Sequence, residues 1–184
     1  MVRRRIVESL VKAIKKGSVR DVRRAIALAR RDDPTFKLTS LKHGQATPMD
    51  IAISSGRLRM VRLMMDEGGF DVTTEGRSGV PKDRIGDPTT SLHLAALKGH
   101  ANIVKLLIER GARVDRRGHL GETPLMYAAS QGHLKIVRML LESGAGKDPR
   151  EIEDAIRVAR EGRRYRVASE LRRYLEARVR KTGR

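Results

Sequence analysis

Short apolar bursts at helical spacing punctuate this chain, each preceded by a glycine. "IVKLLI" (Ile103–Ile108) and "IVRMLL" (Ile136–Leu141) set apolar side chains on one helix face, with Lys105 and Arg138 in the gaps. Ahead of each burst stands Gly99 or Gly132, and ahead of that a shorter segment opens on threonine and carries paired alanines. Three segments align without gaps: "TPMDIAISSGRLRMVRLMM" from Thr47, "TSLHLAALKGHANIVKLLI" from Thr90 and "TPLMYAASQGHLKIVRMLL" from Thr123. In each, a glycine (Gly56, Gly99, Gly132) stands nine positions after the threonine. The last two segments start 33 residues apart and the first two 43 apart, so ten residues are inserted between the first and second.

Each segment predicts a pair of helices. Threonine caps free N–H groups, and a proline after it fits the first helical turn. Ala95–Ala96 and Ala128–Ala129 allow a neighbouring helix to come close, and the glycine permits a tight turn with positive φ. "RGA" (Arg110–Ala112) and "SGA" (Ser143–Ala145) then close the second helix on a glycine. A helix pair with one apolar face has to bury it against a neighbour, so the pattern predicts serial stacking. The ends extend the series. "AIKKGSVRDVRRAIALA" (Ala13–Ala29) offers Gly17 as the inter-helix glycine, with Val22, Ala25 and Ile26 on the second helix. "AIRVAREGRRYRVASELRRYL" (Ala155–Leu175) offers Gly162 likewise, with Val167, Leu171 and Leu175 facing inward.

These residues resemble the ankyrin repeat. Leu92, His93, Ala95, Ala96, Gly99, His100, Val104, Leu106, Leu107, Gly111 and Ala112 fit that family's pattern. So do Thr123, Pro124, Leu125, Ala128, Ala129, Gly132, His133, Val137, Leu140, Leu141, Gly144 and Ala145. Ser91 replaces the motif proline, Met126 the motif histidine, and Asp50 and Arg57 occupy the histidine places of the first repeat. The resemblance implies an all-α ankyrin-repeat solenoid of about five helix-turn-helix units with hairpin finger loops, one of them extended. The expected single domain, 1–184, divides into an N-terminal cap repeat (1–31), a long connection (32–46) and a repeat (47–70). An extended finger (71–89), repeats at 90–122 and 123–149, and a C-terminal cap pair (150–184) complete it.

Charge enlarges the picture. The chain carries 40 basic and 22 acidic residues, a net +18. Residues 1–31 hold 11 basic and 2 acidic side chains, and residues 147–184 hold 13 and 7, so both ends are more basic than the middle. Polar outer faces are what terminal repeats need for solubility. The same field also draws acidic partners or polyanions. Aromatic residues make up 3% and tryptophan is absent, which argues against stacking of single-stranded bases.

Candidate chemistry is thin. "LLESGAGKD" (Leu140–Asp148) has the look of a phosphate-binding loop, but Leu141 stands where the first glycine belongs and Asp148 where the hydroxyl belongs. It reads as the end of a repeat, matching Gly111–Ala112. Of the histidines His43, His93, His100, His119 and His133, two recur at the repeat period and read as structural braces. No nucleophile–base set or metal-ligand spacing is visible, so neither enzyme activity nor a cofactor is expected. Cysteine is absent, which suits a reducing compartment, cytoplasmic or nuclear. "MVRRRIVESLVKAIKKG" lacks the apolar core of a signal peptide, and no apolar run approaches the roughly 18 residues of a membrane span. No membrane association is expected, and a monomer is.

The resemblance implies that partners bind the fingers and the groove beside the first helices. The candidates are His119, Leu120, Glu122, Tyr127, Ser130 and Gln131 in the last full repeat, and Asp87, Thr89, Leu97 and Lys98 in the one before. His43, Gln45, Ser54 and Ser55 are those of the first. Tyr127 reads either as an interface anchor or as a residue packed between repeats. The extended finger adds Arg77, Lys82 and Arg84 as a basic clamp for an acidic peptide.

The leading expectation is a non-enzymatic module binding a protein or peptide, with acidic partners favoured by the charge. A second is a nucleic-acid or polyanion binder using Arg163, Arg164, Arg172, Arg173 and Arg180 of the basic terminus. A third is an engineered repeat scaffold, to which the missing cysteine and tryptophan point and the irregular insertions do not. A fourth is a ubiquitin-ligase substrate receptor. The two lengthened connections and "GQATPMDIAISSGRLRMV" loosely resemble the feminization-type receptors of cullin ligases, whose groove takes the C-terminal end of a degron.

Overall fold

The computed structural model describes residues 2–32, 46–70, 72, 90–118 and 121–182. Those residues form ten α-helices: α1 (Val2–Lys16), α2 (Val19–Asp32), α3 (Pro48–Ser54), α4 (Leu58–Asp66), α5 (Ser91–Lys98), α6 (Ala101–Glu109), α7 (Pro124–Gln131), α8 (Leu134–Glu142), α9 (Pro149–Glu161) and α10 (Tyr165–Thr182). They pair in order, α1 with α2 through to α9 with α10, and the pairs stack in the same order. First helices run side by side as α1, α3, α5, α7 and α9, and second helices as α2, α4, α6, α8 and α10. The fold is an all-α repeat solenoid.

Local sequence sets each helix start. Thr47, Thr90 and Thr123 are extended at the N-cap, and each hydroxyl accepts a hydrogen bond from the N–H three residues on. At Thr47 the cap is reciprocal, because the Asp50 carboxylate accepts from the Thr47 N–H at 2.9 Å and from its hydroxyl at 2.7 Å. Asp50 thus occupies a motif histidine position as the far half of a capping box. Ala95, Ala96, Ala128 and Ala129 are fully buried, and their small size lets α5 and α7 lie against each other. The core beneath is Ile103, Val104, Leu106 and Leu107 of α6 with Ile136, Val137, Leu140 and Leu141 of α8. Val22, Ala25 and Ile26 seal one end, and Val167 and Leu171 the other, with Leu175 partly buried against them.

A ladder of side chains ties each pair to the one before. His133 Nε2 lies 3.3 Å from the Leu97 carbonyl, and His100 Nε2 3.4 Å from that of Ser54. Arg57 donates to the Lys15 carbonyl at 3.0 Å, and Arg164 to that of Ser130 at 3.3 Å. Arginine therefore makes the same rung as histidine where the motif is degenerate. Each of these side chains also fills the space over the glycine of the preceding turn. A Cβ on Gly99 would lie 2.5 Å from His133 Cε1, and one on Gly132 would lie 2.9 Å from Arg164 Cδ.

The last turn departs from expectation. The left-handed residue of the fifth pair is Arg163 (φ 57), one position beyond Gly162, whose φ of −77 is ordinary. Gly162 is needed for another reason, since a Cβ there would come 2.7 Å from the Ser130 carbonyl. Arg163 is the one non-glycine residue with positive φ among the described residues. A side chain in that conformation costs about 1–2 kcal/mol. Arg163→Gly is therefore expected to stabilise the protein by about 1 kcal/mol once the greater freedom of unfolded glycine is offset. Urea denaturation checks it, and a midpoint that falls would contradict it.

"LLESGAGKD" ends a repeat, as expected. Gly144 and Gly146 have positive φ, and Asp148 caps α9 by accepting from the Arg150 N–H at 2.9 Å. The Gly146 N–H donates to Glu151 at 3.0 Å, and Arg178 donates to the Gly146 carbonyl. Both backbone groups of Gly146 are thus bonded within the protein.

Candidate partner-binding surface

The central first helices α5 and α7 are almost wholly enclosed. In α5 the residues from Ser91 to Ala96 are buried, leaving Leu97 half-buried and Lys98 exposed. In α7 those from Pro124 to Ala129 are buried, with Ser130 half-buried and Gln131 exposed. Each helix lies between two neighbours and its own second helix, so only its C-terminal end reaches solvent. There the stacking brings the candidates Ser54, Leu97 and Ser130 into one column and Ser55, Lys98 and Gln131 into the next. The backbone carbonyls of the first column are the acceptors of the ladder. The Ser130 hydroxyl donates to the Tyr127 carbonyl at 3.0 Å.

Tyr127 is a packed residue. It is 8% exposed, and its ring meets that of His93 edge-on, with centroids 5.7 Å apart. Glu122 is half-buried at the root of the finger between α6 and α7. Its backbone carbonyl lies 3.2 Å from His93 Nε2, while His93 Nδ1 lies 2.7 Å from the Thr90 hydroxyl. With Nε2 as donor and Nδ1 as acceptor, the ring is neutral. Burial pushes its pKa down to about 4, and hydrogen bonds to the Glu122 and Arg116 carbonyls offset part of that. His93 thus fastens one repeat to the finger that opens the next.

The described residues of that finger are tied by its own bonds. The Gly118 N–H donates to the Glu122 carbonyl at 2.7 Å, the Gly121 N–H to the Gly118 carbonyl at 3.2 Å, and Arg117 to the Gly121 carbonyl at 3.1 Å. Arg113 and Arg117 are exposed on it, and Arg113 pairs with Asp115 at 3.4 Å. Neither arginine stood among the sequence candidates. The run "RVDRRG" (113–118) in a finger position is the sequence signal for them. His119 and Leu120 of this finger, and Arg77, Lys82, Arg84, Asp87 and Thr89 of the extended one, lie outside the described residues, as do His43 and Gln45.

The basic terminus does not form one row. Arg164 is held in the ladder, Arg163 sits in the turn before α10, and Arg180 lies near the far end of that helix, about 24 Å along the axis from Arg164. Arg172 and Arg173 are exposed, and Arg173 lies 4.0 Å from Glu170. Among the described residues no group of three or more acidic, histidine or cysteine side chains is placed to hold a metal. No described helix is long and apolar enough to cross a membrane.

A family model described as ankyrin repeats in three copies matches residues 77–151. Human ankyrin repeat and KH domain-containing protein 1 is 40% identical over 78 residues, which is 42% of this chain and 3% of that protein. Human ankyrin repeat domain-containing protein 17 is likewise 40% identical over 78 residues, covering 42% of the chain and 3% of the relative. A probable E3 ubiquitin-protein ligase of Oryza sativa subsp. japonica is 50% identical over 43 residues, 23% of the chain and 8% of that protein. The chain thus spans only a small part of these relatives.

Proposed function

Since this chain is an ankyrin-repeat protein, and such repeats are generally non-enzymatic protein–protein interaction modules, we propose that it binds an acidic segment of a partner protein. The surface runs from the finger between α6 and α7 to the exposed ends of α5 and α7. The observation that carries the reading is that finger. It is braced by His93 and by its own backbone bonds, and it presents Arg113 and Arg117 to solvent. Lys98 and Gln131 supply a polar far rim, and the basic residues of the extended finger would add to the clamp. Exposed cations on such a finger raise association rate and select for acidic sequences, while a few anchors set affinity.

The test is an acidic-peptide library read by fluorescence anisotropy at two salt concentrations. Arg113→Glu with Arg117→Glu is expected to weaken the selected peptides about a hundredfold, roughly 3 kcal/mol of binding. Unchanged affinity in that variant would remove the finger from the site.

Capture of a substrate for a ubiquitin ligase is a second reading, favoured by the likeness to the rice protein named a probable E3 ubiquitin-protein ligase. It uses the same surface. It would be supported if the captured partner acquires ubiquitin in a lysate and ceases to when the finger is altered, and refuted if the partner acquires none.

A further inference from the structure

The ladder fixes which residues of the second helices are equivalent, and those equivalences align the solvent face. Two positions after Arg57, His100, His133 and Arg164 come Arg59, Asn102, Lys135 and Arg166, and Arg20 holds the same place in α2. Three positions further on come Arg23, Arg62, Lys105 and Arg138, with Ser169 in α10. All ten are exposed. In the second row, Arg23 pairs with Glu67, Lys105 with Glu109 and Arg138 with Glu170. Arg20, Arg59, Lys135 and Arg166 in the first row have no ion pair with any described carboxylate.

Fold stability does not explain this row. It lies in the first turns of the second helices, where a cation opposes the helix dipole. The first turns of α4, α6 and α8 contain no acid, and their last turns contain no base but end on Asp66, Glu109 and Glu142. Side-chain charge and helix dipole therefore add, leaving the end that bears the row strongly positive.

We infer that this row is a docking surface for the phosphate backbone of duplex nucleic acid, bound without regard to sequence. Packed helices stand about 8–10 Å apart. A duplex offers one negative charge per about 1.7 Å of axis, so each cation finds a phosphate without any register being required. The row takes one position from each successive second helix, with Asn102 between the cations at α6, and is one or two side chains wide, which suits a charged rod better than a plane of lipid headgroups. Exposed large apolar side chains among the described residues are Leu28, Tyr165 and Val179, all on the terminal pairs. The three central helices therefore lack both the anchors a peptide needs and the rings that unpaired bases stack on. The surface is distinct from the finger, and distinct from Arg172, Arg173 and Arg180 further along α10.

The experiment measures anisotropy of a labelled random-sequence DNA duplex against salt. If the four unpaired cations each engage one phosphate, log affinity falls with log salt at a slope of about −4. Arg59→Gln, Lys135→Gln and Arg166→Gln together should reduce that slope by about 3 and weaken low-salt binding at least about tenfold. Arg172→Gln, Arg173→Gln and Arg180→Gln remove equal charge off the row and should leave the slope within about one. A flat salt dependence, equal losses in both triple variants, or tighter binding to single strands or phosphatidylserine vesicles than to the duplex would each overturn the inference. The finger variant is the internal reference, because duplex binding through the row survives it even if acidic-peptide binding is never found.

Discussion

Gly99→Ala is expected to destabilise the protein by about 3 kcal/mol, the largest effect anticipated for so small a change. Two costs combine. Gly99 has φ +78, and a side chain in that region costs about 1–2 kcal/mol. The new methyl would also sit 2.5 Å from His133 Cε1 and 2.7 Å from its Nε2. Relieving that overlap means withdrawing the ring from the Leu97 carbonyl it meets at 3.3 Å, and forced overpacking costs about 1–3 kcal/mol. Urea denaturation of four proteins (the parent, Gly99→Ala, His133→Ala and the double variant) separates the two. Removing the His133 ring should recover the steric part and leave the conformational part, so the double variant should be more stable than the sum of single losses implies. Strict additivity would show that the ring and the turn do not interact.

Acid should unfold this protein through His93 before it does so through general charge repulsion. In the folded state the ring is buried, with a pKa of about 4, whereas an exposed histidine titrates near 6.5. Between those values the unfolded chain binds a proton that the folded chain refuses. Stability from this residue is thus complete above about pH 6.5, falls as pH drops, and is fully lost below about pH 4. The difference corresponds to about 3 kcal/mol. His93→Gln keeps a donor for the Glu122 carbonyl but has no titration, so it should begin less stable at pH 7 and lose less on acidification. Denaturant midpoints of both proteins from pH 7 to pH 4 provide the check. Parallel pH curves would show that His93 does not govern the loss.

Much of the architecture was legible because its signals are local and repeated. Thr47, Thr90 and Thr123 announced helix starts, and Gly56, Gly99 and Gly132 announced turns; each acts within a few residues of its own position. Equivalence between Arg57 and His133 was not legible, because what matters there is the reach of a donor to a carbonyl one repeat earlier, which two unlike side chains can both achieve. The cap turn was misplaced by one residue for a related reason. Glycine marks a left-handed turn in sequence, but at the fifth pair the left-handed residue is Arg163 and the glycine answers a close approach by the Ser130 carbonyl.

The candidate surface was harder to read. Tyr127 has the chemistry of an anchor, yet its exposure depends on His93, 34 positions earlier, and on the finger between them. The amount of first-helix face left open is likewise a property of the stack. Lys98 and Gln131 are exposed, whereas the rest of α5 and α7 is mostly enclosed, which equivalence between repeats could not show.

The rungs made by Arg57, His100, His133 and Arg164 all point the same way along the chain, each later pair reaching back into the turn of an earlier one. No pair is therefore specified by its own residues alone: it supplies a donor to its predecessor and leaves a hollow for its successor. A repeat transplanted as a cassette carries half of a rung across each seam. It will fit only between neighbours that bring the missing halves, a small residue in the turn before it and a long or ringed donor in the pair after it.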